Sequence, residues 1–230
     1  MLHTMTAATP ARKTALTVDV ISDVVCPWCY IGKRRLETAL ATLSARETDM
    51  RTEVRWHPFQ LNPDVPKSGV DRRAYLEAKF GGARRAGEIY ARVQAAAQTV
   101  GLALDFDRIA RQPNTLAAHR LIAWAQGLEP RSVDTLIERL FRAYFVEGRD
   151  IGDAGELAAL AGAAGYDATA ARALLDSSQF EAEVAAADRR AREVGIGGVP
   201  FFIFDGKVAV SGAQEPATLL EAIASARSGS

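Results

Sequence analysis

The sequence predicts an α/β protein: strand-forming segments lie near both ends of the chain, and a long helical stretch separates them. Three observations lead to this. The apolar run Leu16–Ile21 passes through DVVCPWCYIG (Asp23–Gly32) into a segment with Leu36, Leu40 and Leu43 at helical spacing, which reads as strand, sharp turn, helix. From Asp71 to Val194 the pattern is helical, rich in Ala, Leu, Arg and Glu, with no convincing strand. After the break Gly195–Gly198, the apolar run Val199–Phe204, the turn pair Asp205-Gly206 and the segment Lys207–Val210 read as a hairpin.

Between these landmarks the elements follow in order. Thr52–Trp56 alternates and runs into His57-Pro58-Phe59, a second strand that Pro58 ends or confines to an edge. LNPDVPKSG (Leu61–Gly69) is a boundary loop. Helices are expected over Asp71–Phe80 and Arg84–Val100, over a short piece Asp105–Arg111, and over Thr115–Gln126 after Pro113. Ser132 opens an amphipathic helix bearing Leu136, Ile137, Leu140, Phe141 and Tyr144, ending near Gly148. Ala154–Ala164, Ala168–Leu175 and Gln179–Val194 complete a helical layer. Glu215-Pro216 starts a terminal helix with Leu219, Leu220 and Ile223, and from Ser225 onward the chain reads as a disordered tail. Trp56, Trp124 and Phe141 read as core; of Phe201 and Phe202, one faces the core and the other a cleft.

Composition narrows the function classes. With 230 residues, 48% hydrophobic and 24% charged, the chain can bury about 70% of its unfolded surface without disulfides. Basic and acidic residues number 28 each, so net charge attracts neither nucleic acid nor an anionic membrane. Lys33-Arg34-Arg35 and Arg189-Arg190 read as solvated helix faces. The opening MLHTMTAATPARKT (1–14) lacks the apolar core of a secretory signal and reads as a disordered leader, with Met5 as an alternative start. No run is long enough to span a bilayer. The expected location is the cytoplasm, where a CxxC pair is catalytic or metal-binding more often than structural.

Chemistry centres on Cys26 and Cys29, the chain's 2 cysteines. Pro27 fits a first helical turn, where its missing N–H is no loss, so Cys26 is expected at the helix N-terminus. Unpaired amides and the helix dipole favour an anion there, and a thiol so placed ionises more readily. Cys26 is thus expected to be the more exposed and more acidic thiol, with Cys29, one turn on, resolving. A structural bridge across two residues would remove little unfolded-state entropy. A zinc site needs about four ligands, and the remaining candidates, His3, His57 and His119, are scattered, so no metal is expected. Two inert core cysteines would not call for Pro-Trp between them at a helix start.

With these residues in place the sequence resembles a known family. A strand, a CxxC helix, another strand and a late VP-strand hairpin plus helix look like a thioredoxin fold split by a large all-helical insertion, the layout of DsbA-like oxidoreductases. DVVCPWCYIG, the PFQLNP stretch, PNTLAAHR, GVPFFIF and VSGAQEP, spread in order from Val18 to Pro216, resemble the FrnE-type branch. The resemblance implies a thioredoxin-fold domain from 15–61 and 196–227, a helical insertion over 62–195, and tails at 1–14 and 228–230. It implies that Pro200 is cis and lies against the cysteine pair, and that Val199 offers its backbone to a peptide or thiol substrate. Strongly oxidising relatives carry histidine next to the second cysteine, where this chain has Trp28. Without that cation the pair should be less oxidising than the DsbA value of about −120 mV, nearer thioredoxin's roughly −270 mV. Some FrnE-type members carry a further C-terminal cysteine pair, which is absent here.

Supporting residues are less specific. Asp23, three positions before Cys26, serves either as a proton shuttle or as a capping or turn residue. His119 matches the family's NT..AHR pattern and either faces the cleft or is a satisfied, partly buried side chain, with Asn114 or Thr115 as a helix cap. The expected function is thiol–disulfide exchange on protein or small-molecule substrates, with no cofactor beyond the Cys26–Cys29 pair and with glutathione as a candidate co-substrate. One alternative is a glutathione-dependent isomerase or transferase, since 2-hydroxychromene-2-carboxylate isomerases and kappa-class glutathione transferases share the layout; those enzymes carry serine at the Cys26 position and lack the second cysteine. The other is a non-enzymatic redox sensor or partner-binding protein.

Overall fold

The computed structural model of the protein describes residues 15–128 and 133–228. The expected leader 1–14, the helix opening at Ser132 and the last two residues of the tail, 229–230, lie outside the described residues. Strand β1 (Ala15–Ser22) leads into α1 (Pro27–Arg46), and β2 (Arg51–Pro58) returns parallel to β1 in a register that pairs Ala15 with Arg51 and Ser22 with Pro58. From the other end of the chain, β5 (Phe201–Phe204) pairs antiparallel with β1 and with β6 (Val208–Ser211), which gives the sheet order β2-β1-β5-β6. Helix α9 (Pro216–Ser228) closes the chain. Pro58 ends β2, an edge strand, where a missing N–H disturbs no interior ladder.

Side chains alternate across the sheet as a period of two requires. Leu16, Val18 and Val20 of β1 and Phe202 and Phe204 of β5 join the main core with α1 and α9, while Ile21, Phe201 and Ile203 turn to a second cluster that holds Ala191 and Ile196. Phe202 is therefore the core residue and Phe201 the half-buried one.

Among the described residues, seven α-helices lie between the two halves of the sheet: α2 (Arg72–Phe80), α3 (Ala83–Gln98), α4 (Leu116–Gln126), α5 (Asp134–Phe145), α6 (Ala154–Ala163), α7 (Ala168–Asp176) and α8 (Glu181–Glu193). Carboxylates cap three of them: Asp71 accepts from Ala74 N, Asp153 from Glu156 N, and Asp167 from Thr169 N and Ala170 N. These helices share the main core with the sheet. Tyr30 of α1 stacks on Phe141 of α5 with ring centroids 4.9 Å apart, so α1 is packed directly against the helical region.

Five local expectations are corrected. The interval expected to lack strands contains a two-residue antiparallel ladder, β3 (Val70–Asp71) with β4 (Arg111–Gln112), too short to show as alternation. It also shortens the expected helix Asp105–Arg111 to a 3-10 turn over Phe106–Arg108. Phe204 pairs with Val208, so the hairpin connection holds three residues rather than two; Asp205 and Gly206 both have positive φ, and Lys207 N closes the turn on Phe204 O. Residues 225–228, expected in the tail, continue α9, with Ala226 buried. Lys33-Arg34-Arg35 is not a solvated face: Lys33 is buried among Glu37, Asp134 and Glu138, Arg34 pairs with Glu37 and Glu138, and Arg35 reaches Ala213 O and Glu215. Arg189 and Arg190 are exposed, as expected.

Buried Arg120 of α4 joins α7 to the start of α8. Its Nε donates to Gln179 O at 2.7 Å, and one terminal nitrogen donates to Leu174 O at 2.8 Å and Ser177 O at 2.6 Å. Arg120→Met would leave these carbonyls unpaired, and a lost buried partner costs about 1–3 kcal/mol. The variant should unfold at lower urea concentration with an unchanged slope; a parent-like midpoint would show that the carbonyls find other partners.

Candidate active site

Cys26 is the N-cap of α1, with extended backbone (φ −93°, ψ 112°), and Pro27 is the first helical residue. The turn that carries β1 into the helix is closed by Cys26 N donating to Asp23 O at 3.0 Å. Cys29 and Tyr30 then donate their amides to Cys26 O, which starts the helical ladder. Both cysteines are free thiols and both are buried, Cys26 at 4% and Cys29 at 1% exposure, so the expected difference in exposure is small. Their surroundings separate them. Burial, with Cys26 alongside, pushes the Cys29 thiol well above its ordinary range, against smaller opposing effects from Ser22 and the Asp23 backbone.

The C-terminal half of the sheet supplies the opposite wall. The Val199–Pro200 peptide is cis, and Cys26 Sγ donates to Val199 O at 3.6 Å. Pro200 is held in turn by Gly212 N, 2.8 Å from its carbonyl oxygen. Gly32 permits the contact between walls: a Cβ there would lie 2.9 Å from Pro200 Cγ and 3.2 Å from Phe202 Cζ. Trp28 is 38% exposed at the rim.

A polar cluster lies beneath the pair. Asp23 is fully buried, and its Oδ2 accepts from Leu61 N at 2.8 Å. Its Oδ1 lies 3.3 Å from Nε2 of buried His119, close enough for charge pairing but misaligned for a hydrogen bond. Asp23 thus anchors the Leu61 backbone and faces His119, and its backbone closes the turn. Asn114, not Thr115, caps α4, its Oδ1 accepting from Leu116 N at 2.9 Å, while its amide nitrogen donates to Val65 O at 2.6 Å. His119 is buried and points to Asp23 rather than to an open cleft.

The fold and this geometry can be compared with known proteins. Residues 17–224 match the family model described as the DSBA-like thioredoxin domain. The chain belongs to this family. A probable DsbA oxidoreductase from Streptomyces coelicolor superposes on this DSBA-like chain with TM-score 0.83 and 34% identity, covering 94% of this chain and 91% of that one. An uncharacterized protein of Bacillus subtilis, YwbO, is 28% identical over 202 residues, 85% of this chain and 90% of its own length. A 2-hydroxychromene-2-carboxylate isomerase shares the fold at TM-score 0.63 and 18% identity, covering 91% of this chain and 95% of that one. Among the described residues of the DSBA-like chain, no helix is long and apolar enough to cross a membrane.

Three neighbours of the pair were not singled out from the sequence. Ser22 ends β1 beside Cys29, Gly32 sets the approach to Pro200, and Tyr90 of α3 lies close enough to feel charge on Cys26, although burial is the main reason its phenol is held above its ordinary range. Gly32 lies within DVVCPWCYIG, and its spacing, one turn past Cys29, is an available signal. Tyr90 comes from a distant helix and had none.

Two outcomes follow. Alanine at position 32 would gain up to about 1 kcal/mol of helix propensity, but overpacking typically costs about 1–3 kcal/mol. Gly32→Ala should therefore lower the thermal midpoint and slow thiol reactivity, and a more stable variant would refute the close-contact argument. The raised Cys29 thiol also gives a pH signature. The folded state binds its proton more tightly than the unfolded chain, so this contribution is complete below about pH 8.5 and is lost as pH rises toward the folded-state value. Urea titrations of the reduced protein should show stability falling above about pH 8.5, with a shallower fall in Cys29→Ala; parallel profiles would count against a raised thiol.

Proposed function

We propose that the protein is a thiol–disulfide oxidoreductase with Cys26 as the attacking thiol and Cys29 as the resolving one. The observation that supports this most is an intact cysteine pair at the start of α1, with Cys26 against the Val199 carbonyl and Cys29 deeper and held protonated. The Cys26 thiolate attacks a substrate disulfide; that S–S bond breaks, one substrate sulfur leaves as a thiolate, and a mixed disulfide forms. Cys29 then gives up its proton and attacks Cys26 Sγ. The Cys26–Cys29 bond forms, the second substrate sulfur departs with the electron pair and takes a proton, and two electrons have passed from the pair to the substrate. Run in reverse, the same steps oxidise a dithiol.

In this reading Pro27 fixes the helix start and Pro200 with Val199 forms the wall against which substrate lies. Trp28 adds an exposed apolar surface without a cation, which makes the pair less oxidising than a histidine-bearing one. Asp23, Asn114 and His119 are supporting residues. Membership of the DSBA-like family and the 34% identity to a probable DsbA oxidoreductase support the chemistry. The fold is shared with an isomerase, but a thiol where those enzymes carry serine favours exchange. Substrates are protein or small-molecule disulfides and thiols, with glutathione as a co-substrate, in the cytoplasm. The catalytic unit comprises 15–61 and 196–227, with 62–195 as the insertion.

Cys26→Ser should abolish reduction of insulin by dithiothreitol-recycled protein, because a serine hydroxyl does not exchange with disulfides. Cys29→Ser should instead accumulate a mixed disulfide, visible as a mass increase that dithiothreitol reverses. Full insulin reductase activity in Cys26→Ser would rule this function out.

A further inference from the structure

Where the β3–β4 ladder meets α2, buried hydrogen-bond donors outnumber acceptors. Arg72, the first residue of α2, is 6% exposed, and its amide donates to Ala110 O at 3.0 Å. Its guanidinium lies over the rings of Tyr90, at 4.8 Å from the centroid, and Phe106, at 5.5 Å. Nε has no hydrogen-bond partner, and Nη1 makes one long bond, to Phe106 O at 3.4 Å. Among the described residues no carboxylate stands within ion-pair distance of this cation; Asp71, its neighbour in the chain, caps α2 through Ala74 N instead. Gln112, paired with Val70 in the ladder and also buried, has an unpartnered Nε2. Tyr144 joins the two: its hydroxyl donates to Gln112 Oε1 at 3.3 Å and lies near Arg72, although burial, the larger effect, keeps it protonated. Tyr90 links the cluster to the cysteine pair, since after burial the charges its phenol senses are those of Arg72 and Cys26.

A buried cation without a counter-ion is costly to keep. The two rings recover part of that cost through the face of the guanidinium. Its in-plane N–H groups are left over, and a planar carboxylate fits them with paired, charge-assisted hydrogen bonds. We propose that Arg72, with Gln112, binds a carboxylate carried by a small disulfide or thiol, and so selects anionic substrates for Cys26. The inference rests on the oxidoreductase reading above and names the substrate class of that site. The covalent steps are those of the exchange already described: the Cys26 thiolate attacks one substrate sulfur, the S–S bond breaks, and the other sulfur leaves with the electron pair. Arg72 and Gln112 hold the carboxylate and neither give nor take a proton. A cation enclosed between two rings admits a carboxylate on a short, slender chain rather than the surface of a folded protein.

Other cations near the pair are committed. Lys33 and Arg34 face Glu37 and Glu138, Arg35 faces Glu215, and Arg192 faces Asp188. Asp105 and Asp107 line an open groove together with Tyr90 and Phe106 and repel an anion arriving that way. The carboxylate therefore enters past the Tyr90 hydroxyl, the side that senses Cys26. A role for Arg72 in packing alone predicts something different: its loss would lower stability without changing the preference between a charged and a neutral substrate.

The test compares 3,3′-dithiodipropionate, a dianion, with its neutral dimethyl ester, which has the same disulfide. The reduced protein is mixed with each, the reaction is stopped with acid, and the remaining thiols are alkylated and counted by mass. Dithiothreitol, which has no cation, supplies the intrinsic ratio of acid to ester rates. The ratio for the parent protein should exceed that reference by about 10-fold, as one hydrogen bond to a charged group provides. Arg72→Gln should remove most of this preference, and Arg72→Lys, which keeps the charge but not the planar fork, should retain part of it. Gln112→Leu removes the second donor, should lower the ratio by a smaller factor, and carries the test if Arg72→Gln does not fold. A parent ratio no higher than that of dithiothreitol overturns the carboxylate site without any variant, and so does a parent-like ratio in folded Arg72→Gln. Reaction with the ester in either case leaves the oxidoreductase reading intact. A reduced parent protein that reacts with neither disulfide overturns that reading and the site with it.

Discussion

The site depends on how closely the first turns of α1 can approach the segment that enters β5, and Gly32 sets that distance. Cys26 and Val199 are 173 residues apart in the chain, yet the thiol reaches the carbonyl because β1 and β5 are hydrogen-bonded neighbours. The last pair of their ladder, Ile21 with Phe201, lies immediately beside both walls. The register of that one ladder therefore aims the thiol. A slip of one residue would turn Phe202 and Phe204 out of the main core and Phe201 and Ile203 into it. Burial of the two phenylalanines, each at 0% exposure, makes such a slip costly, at about 1.5–3 kcal/mol per side chain.

The helical region fixes the other side of α1. Lys33 is 2% exposed and has Glu37, Asp134 and Glu138 around its ammonium group, two of them from α5. Burial alone would favour a neutral amine, but Asp134, Glu37 and Glu138 together outweigh it and hold the group above its ordinary range. A charge so committed adds little net stability against an apolar substitute. It does determine which face of α1 meets α5, and Tyr30, stacked on Phe141 and donating to Glu138 at 2.7 Å, fixes the same face.

What could be read from the sequence was what depends on near neighbours in the chain. The cysteine pair at a helix start, the hairpin, the caps and the helix spans follow from spacing and local propensity. The proline against the pair came only by family resemblance, since a Val-Pro step alone does not specify its isomer. The misread features depend on distant partners. Lys33-Arg34-Arg35 looks solvated until α5 brings Glu138 and the C-terminal segment brings Ala213 and Glu215. The β3–β4 ladder joins residues some forty positions apart through two pairs only, too few to leave a period. Asp23 and His119 were both noticed, but their opposition depends on α4 packing behind the sheet.

Polar burial is concentrated where α1, the sheet and the helical region meet. Ser22, Asp23, Gln60, Thr115, His119 and Asp188 are all buried there. Part of this group is a scaffold with its hydrogen bonds met: Asp23 holds Leu61 N, Asp188 holds Gln60 N, and the Gln60 side chain meets Asn114. Buried side-chain atoms without a hydrogen-bond partner occur on Ser22, Asp23, Trp56 and His119, and on five further residues elsewhere among those described. An apolar replacement of these groups would remove the desolvation cost at once, and the rest of the core shows that this chain supplies apolar packing readily. Stability therefore does not account for their placement. On the oxidoreductase reading proposed above, the surroundings of the pair have a functional sense: burial holds Cys29 protonated and so keeps it from competing with Cys26 as the first nucleophile.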